Sequence, residues 1–233
     1  FSAAMVPVER LFLFLPAIQG ALFPFFSSMR LEEEARFASS LARAIRYQCL
    51  LAIGLGLGVS LVGPWALRIV FPAGFQGAGV VLEILGIGVA LRTLNELIST
   101  AAQARGLERE VARVSGLQCL VNVSASVLLI RPLGAAGLGW AMTAAEGAVL
   151  LLLLALLWRR GSLGLPQVAQ LCLPASLGVA VFLSFALIPS SRQSLLMPPM
   201  FAIAYPLLLV VSRTLSREDL GYFMAALVKE RRR

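Results

Sequence analysis

Charged and amide side chains lie in the middle of an apolar run of helical length, Val80–Ala104, which contains LEILGIGVALRTLNELIST. A charge at bilayer depth costs about 3 kcal/mol or more, so it persists only where protein, water or a ligand compensates it. The polar residues of this run are Glu83, Arg92, Asn95 and Glu96. Membrane proteins that keep such groups usually move something polar, and transport is therefore the leading interpretation.

Arg92 and Glu96 are four residues apart, so they share one helix face and can neutralise each other. Two interpretations follow from this spacing. The pair is either a structural contact that holds its helix against the bundle, or a site at which Arg92 faces a water-filled cavity and attracts an anionic headgroup. Substrate binding by Arg92 and Glu96 is the functional prediction.

Glu9 and Arg10 form a second candidate site near the start of the first apolar run. Adjacent helical residues point about 100° apart, so one can face a cavity while the other packs against a helix. Because Phe1–Val8 is itself apolar, we expect Arg10 below the membrane surface, where the alternative is a snorkelling arginine at the interface. Prolines 7, 16 and 24 suit a helix that bends between two states.

Asn122 and Glu146 flank the short turn RPLGAAG at similar distances along the chain. Equal depth predicts a polar contact across this hairpin, and such a contact is more often structural than an ion site. The small-residue runs GLGLGVS and GAAGLGWAMTAA predict close helix approach.

The composition indicates an all-α, polytopic membrane protein. The 233 residues are 59% hydrophobic and 14% charged, with a mean hydropathy of +0.86, whereas soluble domains carry about 25% charged residues. The net charge of +8 resides in basic residues that flank apolar runs, which is typical of topology signals and headgroup contacts and argues against nucleic-acid binding. Histidine is absent, and no catalytic constellation is present. We therefore expect no metal site, no cofactor and no enzymatic activity.

Seven windows are long enough to span a membrane, which takes about 20 apolar residues. Most of the 20 Lys and Arg residues fall on one side of these windows, so that side is cytoplasmic by the positive-inside rule. The first residue is then outside and the C terminus inside, and an odd number of preceding helices is expected to be missing. The windows are Met5–Ser28, Ile45–Val70, Val80–Ala104, Val111–Ile130, Ala135–Trp158, Val168–Ile188 and Pro198–Val211.

Two amphipathic segments are predicted on the cytoplasmic surface. LEEEARFASSLARAIR precedes the second window, and SREDLGYFMAALVKERRR ends the chain. The predicted organisation is a five-helix lobe over residues 1–158, two further helices over 159–215, and a basic interfacial tail over 216–233.

Several motifs in order resemble the polysaccharide-biosynthesis flippases of the MATE-like multidrug/oligosaccharidyl-lipid/polysaccharide exporter superfamily. They are the aromatic-Gly entry near Phe75, the AQARG turn, Asn122 before an LLI end, the RPLGAAG turn, and Glu146 after a small-residue run. Upstream, VERLFLFLPAIQGALFPFFSSM is similar to a helix with an acidic-Arg-Leu step in the same superfamily. The lipid II flippases have a closely similar step.

The resemblance implies a 14-helix transporter of two lobes, in which this chain supplies the last seven helices. It also implies that Arg10 lines the central cavity and contacts substrate, with Glu9 a weaker candidate. The expected activity is export of undecaprenyl-pyrophosphate-linked oligosaccharide across the bacterial inner membrane. The expected partners are this substrate, membrane lipids and the missing N-terminal lobe, in the same chain or a separate one.

Other functions remain open on the sequence alone. They are a drug/cation antiporter of the same superfamily, a lipid II flippase, and a non-transporting membrane assembly subunit. A membrane-embedded glycan polymerase or ligase would need a large outer loop, and every predicted outer loop is short.

Overall fold

A computed structural model of the chain describes residues 2–12, 15–29, 34–70, 77–161 and Tyr205. The chain divides into two compact units, residues 1–193 and 194–233, and everything described below belongs to the first. Its helices are α1 (Ser2–Phe12), α2 (Leu15–Ser27), α3 (Glu34–Leu57), a π-helical turn (Gly58–Val62), α4 (Gly63–Val70), α5 (Ala78–Ala104), α6 (Glu108–Leu133) and α7 (Ala135–Arg159).

The predicted all-α membrane bundle is confirmed. Four helical segments among the described residues are long and apolar enough to cross a membrane: Arg36–Ile69, Ala78–Ala104, Glu108–Leu133 and Ala135–Arg159. The third, fourth and fifth predicted windows match α5, α6 and α7 closely. The first window is described as α1 and α2, with residues 13–14 outside the described set. Apart from Tyr205, the last two windows and the C-terminal tail also lie outside the described residues.

The prediction that the amphipathic segment before the second window forms a separate surface element is wrong. Helix α3 begins at Glu34 and runs without interruption to Leu57. Phe37, Leu41 and Ile45 repeat every four residues and are fully buried. This apolar stripe packs into the core, so the segment forms the first part of α3.

Helix α5 lies at the centre of the bundle and contacts every other described element. Two apolar clusters pack along it. Val81, Leu85 and Val89 belong to one cluster, whereas Leu97 and Ile98 belong to the other. The polar residues Arg92–Glu96 lie between the clusters, so α5 carries a polar zone between two apolar ends.

Helices α3 and α5 approach closely through paired glycines, as the small-residue run predicted. A Cβ added at Gly56 would lie 2.6 Å from the carbonyl oxygen of Gly86, too close for any other residue type. The π-helical turn follows directly, and there Ser60 Oγ donates a hydrogen bond to Glu83 O at 2.8 Å. This contact holds the π-helical turn against α5.

Helices α6 and α7 form an antiparallel hairpin. Gly134 joins them with a φ of 57°, a conformation that glycine adopts without steric cost. Leu120, Val127 and Leu128 are more than 60% exposed on α6. The turn and the apolar packing of α7 set the depth at which polar residues of the hairpin meet α5.

Candidate functional site: a polar cleft between three helices

Arg92 is surrounded by two carboxylates and an aromatic ring. Its Nε lies 3.6 Å from Glu96 Oε1 on the same helix, and its Nη1 lies 3.7 Å from Glu146 Oε1 on α7. The guanidinium carbon is 4.4 Å from the centroid of the Phe12 ring on α1. The predicted i, i+4 pair is therefore present, and two more helices contribute to the compensation of Arg92.

Asn95 joins α5 to α7 one turn further along. Its Nδ2 donates to Glu146 Oε2 at 2.8 Å and to the backbone oxygen of Glu146 at 2.9 Å. Asn95 is only 4% exposed, and its Oδ1 is buried with no hydrogen-bond partner among the described residues. A buried acceptor without a donor lowers the stability of the fold, because it loses its hydrogen bonds to water and gains none in the protein.

These groups line a cleft of about 160 Å³ between α5, α6 and α7, which we call the polar cleft. Helix α5 contributes one face over about three turns, from Arg92 to Gln103. Ser115 and Gln118 line it from α6, and Glu146 from α7. The full lining is Arg92, Asn95, Glu96, Ser99, Gln103, Val111, Val114, Ser115, Gln118, Glu146 and Val149.

Three ionisable side chains line the polar cleft. One guanidinium faces the two carboxylates of Glu96 and Glu146. Glu146 is 3% exposed, so water offers its carboxylate little screening. The remaining lining residues are neutral, so the lining itself contains one guanidinium and two carboxylates.

Glu9 and Arg10 lie elsewhere. Both side chains are exposed on α1, whereas Ala4 and Val8 form the buried face of that helix. Neither lines the polar cleft. The nearest link is Phe12, two residues beyond Arg10, whose ring contacts Arg92. The predicted substrate contacts of Glu9 and Arg10 stay predictions.

The predicted contact between Asn122 and Glu146 is wrong in its pairing. Asn122 Oδ1 accepts a hydrogen bond from Ser126 Oγ at 3.2 Å on its own helix, and Glu146 is bonded by Asn95 of α5. Equal distance from a turn fixes the depth of two residues but not the direction in which each points around its helix. Helix α7 packs on both α5 and α6. Its Glu146 faces Asn95 of α5 and not Asn122 of α6.

Sequence reasoning missed the partners of the carbonyl groups of α5. Gln48 Nε2 donates to Thr93 O at 3.0 Å, and Thr143 Oγ1 donates to Ile84 O at 3.3 Å. Both donors come from neighbouring helices and are buried, so they link α3 and α7 to the polar zone of α5. In the sequence, the signal for such a link is a polar residue in the middle of an apolar run.

Comparison with known proteins gives a family match. The sequence model of the family described as the lipid II flippase MurJ matches residues 10–210. No curated protein matches the chain, and no solved structure matches it.

The match covers most of the chain, from Arg10 through the last predicted membrane window. It supports the exporter superfamily and the similarity to lipid II flippases that the acidic-Arg-Leu step indicated. It does not extend to the polysaccharide-biosynthesis branch specifically. A multi-pass helical bundle and this match together identify a membrane flippase of lipid-linked substrates, and the chain belongs to the lipid II flippase MurJ family.

Proposed function

We propose that this chain forms the C-terminal lobe of a transporter that moves lipid II across the bacterial inner membrane. The observation that carries the proposal is the family match over residues 10–210. We propose transport without covalent chemistry, so the chain is not an enzyme. Seven helices of this chain would face an N-terminal lobe, with the first residue outside and the C terminus in the cytoplasm.

Arg10 is the residue that we propose to bind the pyrophosphate of the substrate. A guanidinium matches phosphate oxygens with paired hydrogen bonds, and Arg10 is exposed on α1. Arg92 is a weaker candidate, because Glu96 and Glu146 already compensate its charge. Alternating access would then expose the bound headgroup to either leaflet.

Undecaprenyl-pyrophosphate-linked oligosaccharide remains the second candidate substrate, on the motif resemblance described above. Both substrates are polyprenyl pyrophosphates, so Arg10 has the same role with either. They differ in the saccharide, and the family match favours lipid II. A drug cation would instead be repelled by Arg10.

The test is flipping by the full-length protein in liposomes that contain labelled lipid II. Arg10→Ala should lower the flipping rate about 10- to 100-fold, since a charge-assisted hydrogen bond is worth about 1.5–3 kcal/mol. Arg131→Ala is the matched control, because Arg131 is exposed at the end of α6. Flipping of the linked oligosaccharide but not of lipid II would reassign the substrate, and an unchanged rate in Arg10→Ala would overturn the role of Arg10.

A further inference from the structure

We infer that Phe12 is a positioning residue for Arg10: its ring contacts the guanidinium of Arg92 and so fixes the rotation of α1 about its own axis. The inference rests on the proposed function, in which Arg10 binds the pyrophosphate of the substrate. Among the described elements, α1 packs mainly on α5. The direction in which α1 presents Arg10 is therefore set by how this helix is rotated against α5.

One face of α1 packs on α5. Ala4 and Val8 are fully buried, and Phe12 is half-buried beside them. At 100° per residue, these three positions lie within about 80° of one another around the helix. Arg10 lies about 200° from the middle of this stripe, on the opposite side of α1, and is exposed. Packing of the stripe on α5 therefore directs Arg10 away from α5.

The apolar contacts of this stripe define the rotation of α1 only loosely. Ala4 and Val8 pack in one cluster with Val81, Leu85 and Val89 of α5, and apolar contacts have no preferred direction. A helix with its side chains has a radius of about 5–6 Å, so a rotation of about 20° moves an outer group by about 2 Å. A hydrogen bond from a guanidinium to a phosphate spans about 2.7–2.9 Å and does not tolerate such a displacement.

Phe12 supplies a directional contact. The guanidinium carbon of Arg92 lies 4.4 Å from the centroid of the Phe12 ring, and a cation is attracted to the face of an aromatic ring. Arg92 is itself held by Glu96 on α5 at 3.6 Å and by Glu146 on α7 at 3.7 Å, so the ring meets a cation whose position two helices determine. Arg10 precedes Phe12 by two residues, about 3 Å along the helix axis. The contact therefore acts close to the group that we propose to bind substrate.

A role in packing alone leads to different expectations. If Phe12 only filled space against α5, an aliphatic side chain of similar size would serve equally well. A positioning role through the cation requires an aromatic ring, because the attraction comes from the face of the ring. It also requires Arg10, because substrate binding is affected only through the direction of that side chain. The two roles are separated by variants of Phe12 with and without Arg10.

The rotation of α1 is measured first, by spin-label distances in the full-length protein without substrate. The labels are attached at Arg10→Cys on α1 and Ile87→Cys on α5, both exposed positions, after the three native cysteines are replaced by serine. Phe12→Leu should shift or broaden the distance distribution by about 2 Å. Phe12→Tyr keeps the ring, and Phe23→Leu makes the same change at an exposed position on α2, so both should leave the distribution unchanged. An unchanged distribution in Phe12→Leu overturns the inference.

The effect on transport is measured as the flipping rate against the content of labelled lipid II in liposomes. Phe12→Leu should raise the apparent KM for lipid II about 3- to 10-fold, because a smaller fraction of the protein presents Arg10 in the binding direction. The kcat should stay within about twofold of the wild-type value. Phe12→Tyr should restore the wild-type KM, and Phe23→Leu should keep it.

A second substitution decides whether Phe12 acts through Arg10. In an Arg10→Ala background, Phe12→Leu should have no further effect on KM, whereas a separate structural role would add its effect to that of Arg10→Ala. An additive effect, or an unchanged KM in Phe12→Leu alone, overturns the inference. Absence of lipid II flipping in the wild type would instead overturn the proposed function, and the spin-label distances would still decide whether Phe12 sets the rotation of α1.

Discussion

Arg10 and Arg92 both occur in membrane-spanning sequence, yet Arg92, whose side chain is 37% exposed, has protein partners that no contact of Arg10 matches among the described residues. Arg92 is compensated from three directions, by Glu96 on its own helix, Glu146 on α7 and the Phe12 ring on α1. Arg10 is exposed on α1, away from the polar cleft. A charge with protein partners on several helices contributes to the bundle, whereas an exposed charge is available to a ligand. Loss of stability and loss of transport should therefore separate between the two residues.

The largest expected effect on stability is at Arg92. Arg92→Met leaves Glu146 buried without this cation; because the Arg92 side chain is itself 37% exposed, solvent screens part of the pair, and the loss should be about 2 kcal/mol of unfolding free energy. Arg10→Met removes an exposed side chain and should change this free energy by less than about 0.5 kcal/mol. Denaturant unfolding of the full-length protein in detergent measures both. Equal losses at the two positions would contradict the comparison.

A double substitution sharpens the same point. Arg92→Met combined with Glu146→Gln removes both members of the ion pair, and Gln can still accept a hydrogen bond from Asn95. The double variant should therefore be more stable than Arg92→Met alone, which a double-mutant cycle would record as a coupling energy between α5 and α7.

A smaller effect is expected at Phe12. Its ring faces the Arg92 guanidinium at 4.4 Å, and a contact of this kind is worth about 0.5–2 kcal/mol. Phe12→Leu should lower the unfolding free energy by that amount in the same assay. Phe23→Leu is the control, because Phe23 is 43% exposed on α2. If the control loses as much as Phe12→Leu, the cation contact has no role in stability.

The smallest effect is expected at the end of the hairpin, where Arg160 and Glu110 lie 3.2 Å apart. The Arg160 side chain is 57% exposed, so water and salt screen the pair and Glu110→Gln should cost less than about 1 kcal/mol. The cost should fall further at high salt. A loss as large as that of Arg92→Met would show that exposure does not separate the two ion pairs.

Helix positions and the Arg92–Glu96 pair could be predicted from sequence, because both depend on local spacing. Apolar runs bounded by basic turns predict α5, α6 and α7 closely, and four residues place two side chains on one face in any α-helix. The fold class follows from the same runs, since only helices of this composition satisfy their backbone groups in lipid.

The partner of Glu146 could not be predicted in this way. Its choice of Asn95 over Asn122 depends on how α7 is rotated about its axis, and packing of the whole bundle sets that rotation. The contact of Phe12 with Arg92 joins residues 80 positions apart, and no local spacing connects them. Continuity of α3 through Glu34–Leu57 was likewise decided by burial of Phe37, Leu41 and Ile45.

The π-helical turn at Gly58–Val62 has a consequence for how the chain tolerates insertion and deletion. A π-helical turn accommodates one residue more than the α-helical turn that it replaces. Beyond it, every side chain of α4 is rotated by about 100° from the direction that an uninterrupted helix would give. Deletion of a single residue within the turn would restore a regular helix and would also remove the same 100° of rotation, so Leu67 would keep its direction toward the core in which it is buried. A one-residue deletion should therefore be tolerated better in this turn than in α3, where it would rotate every following side chain by about 100°.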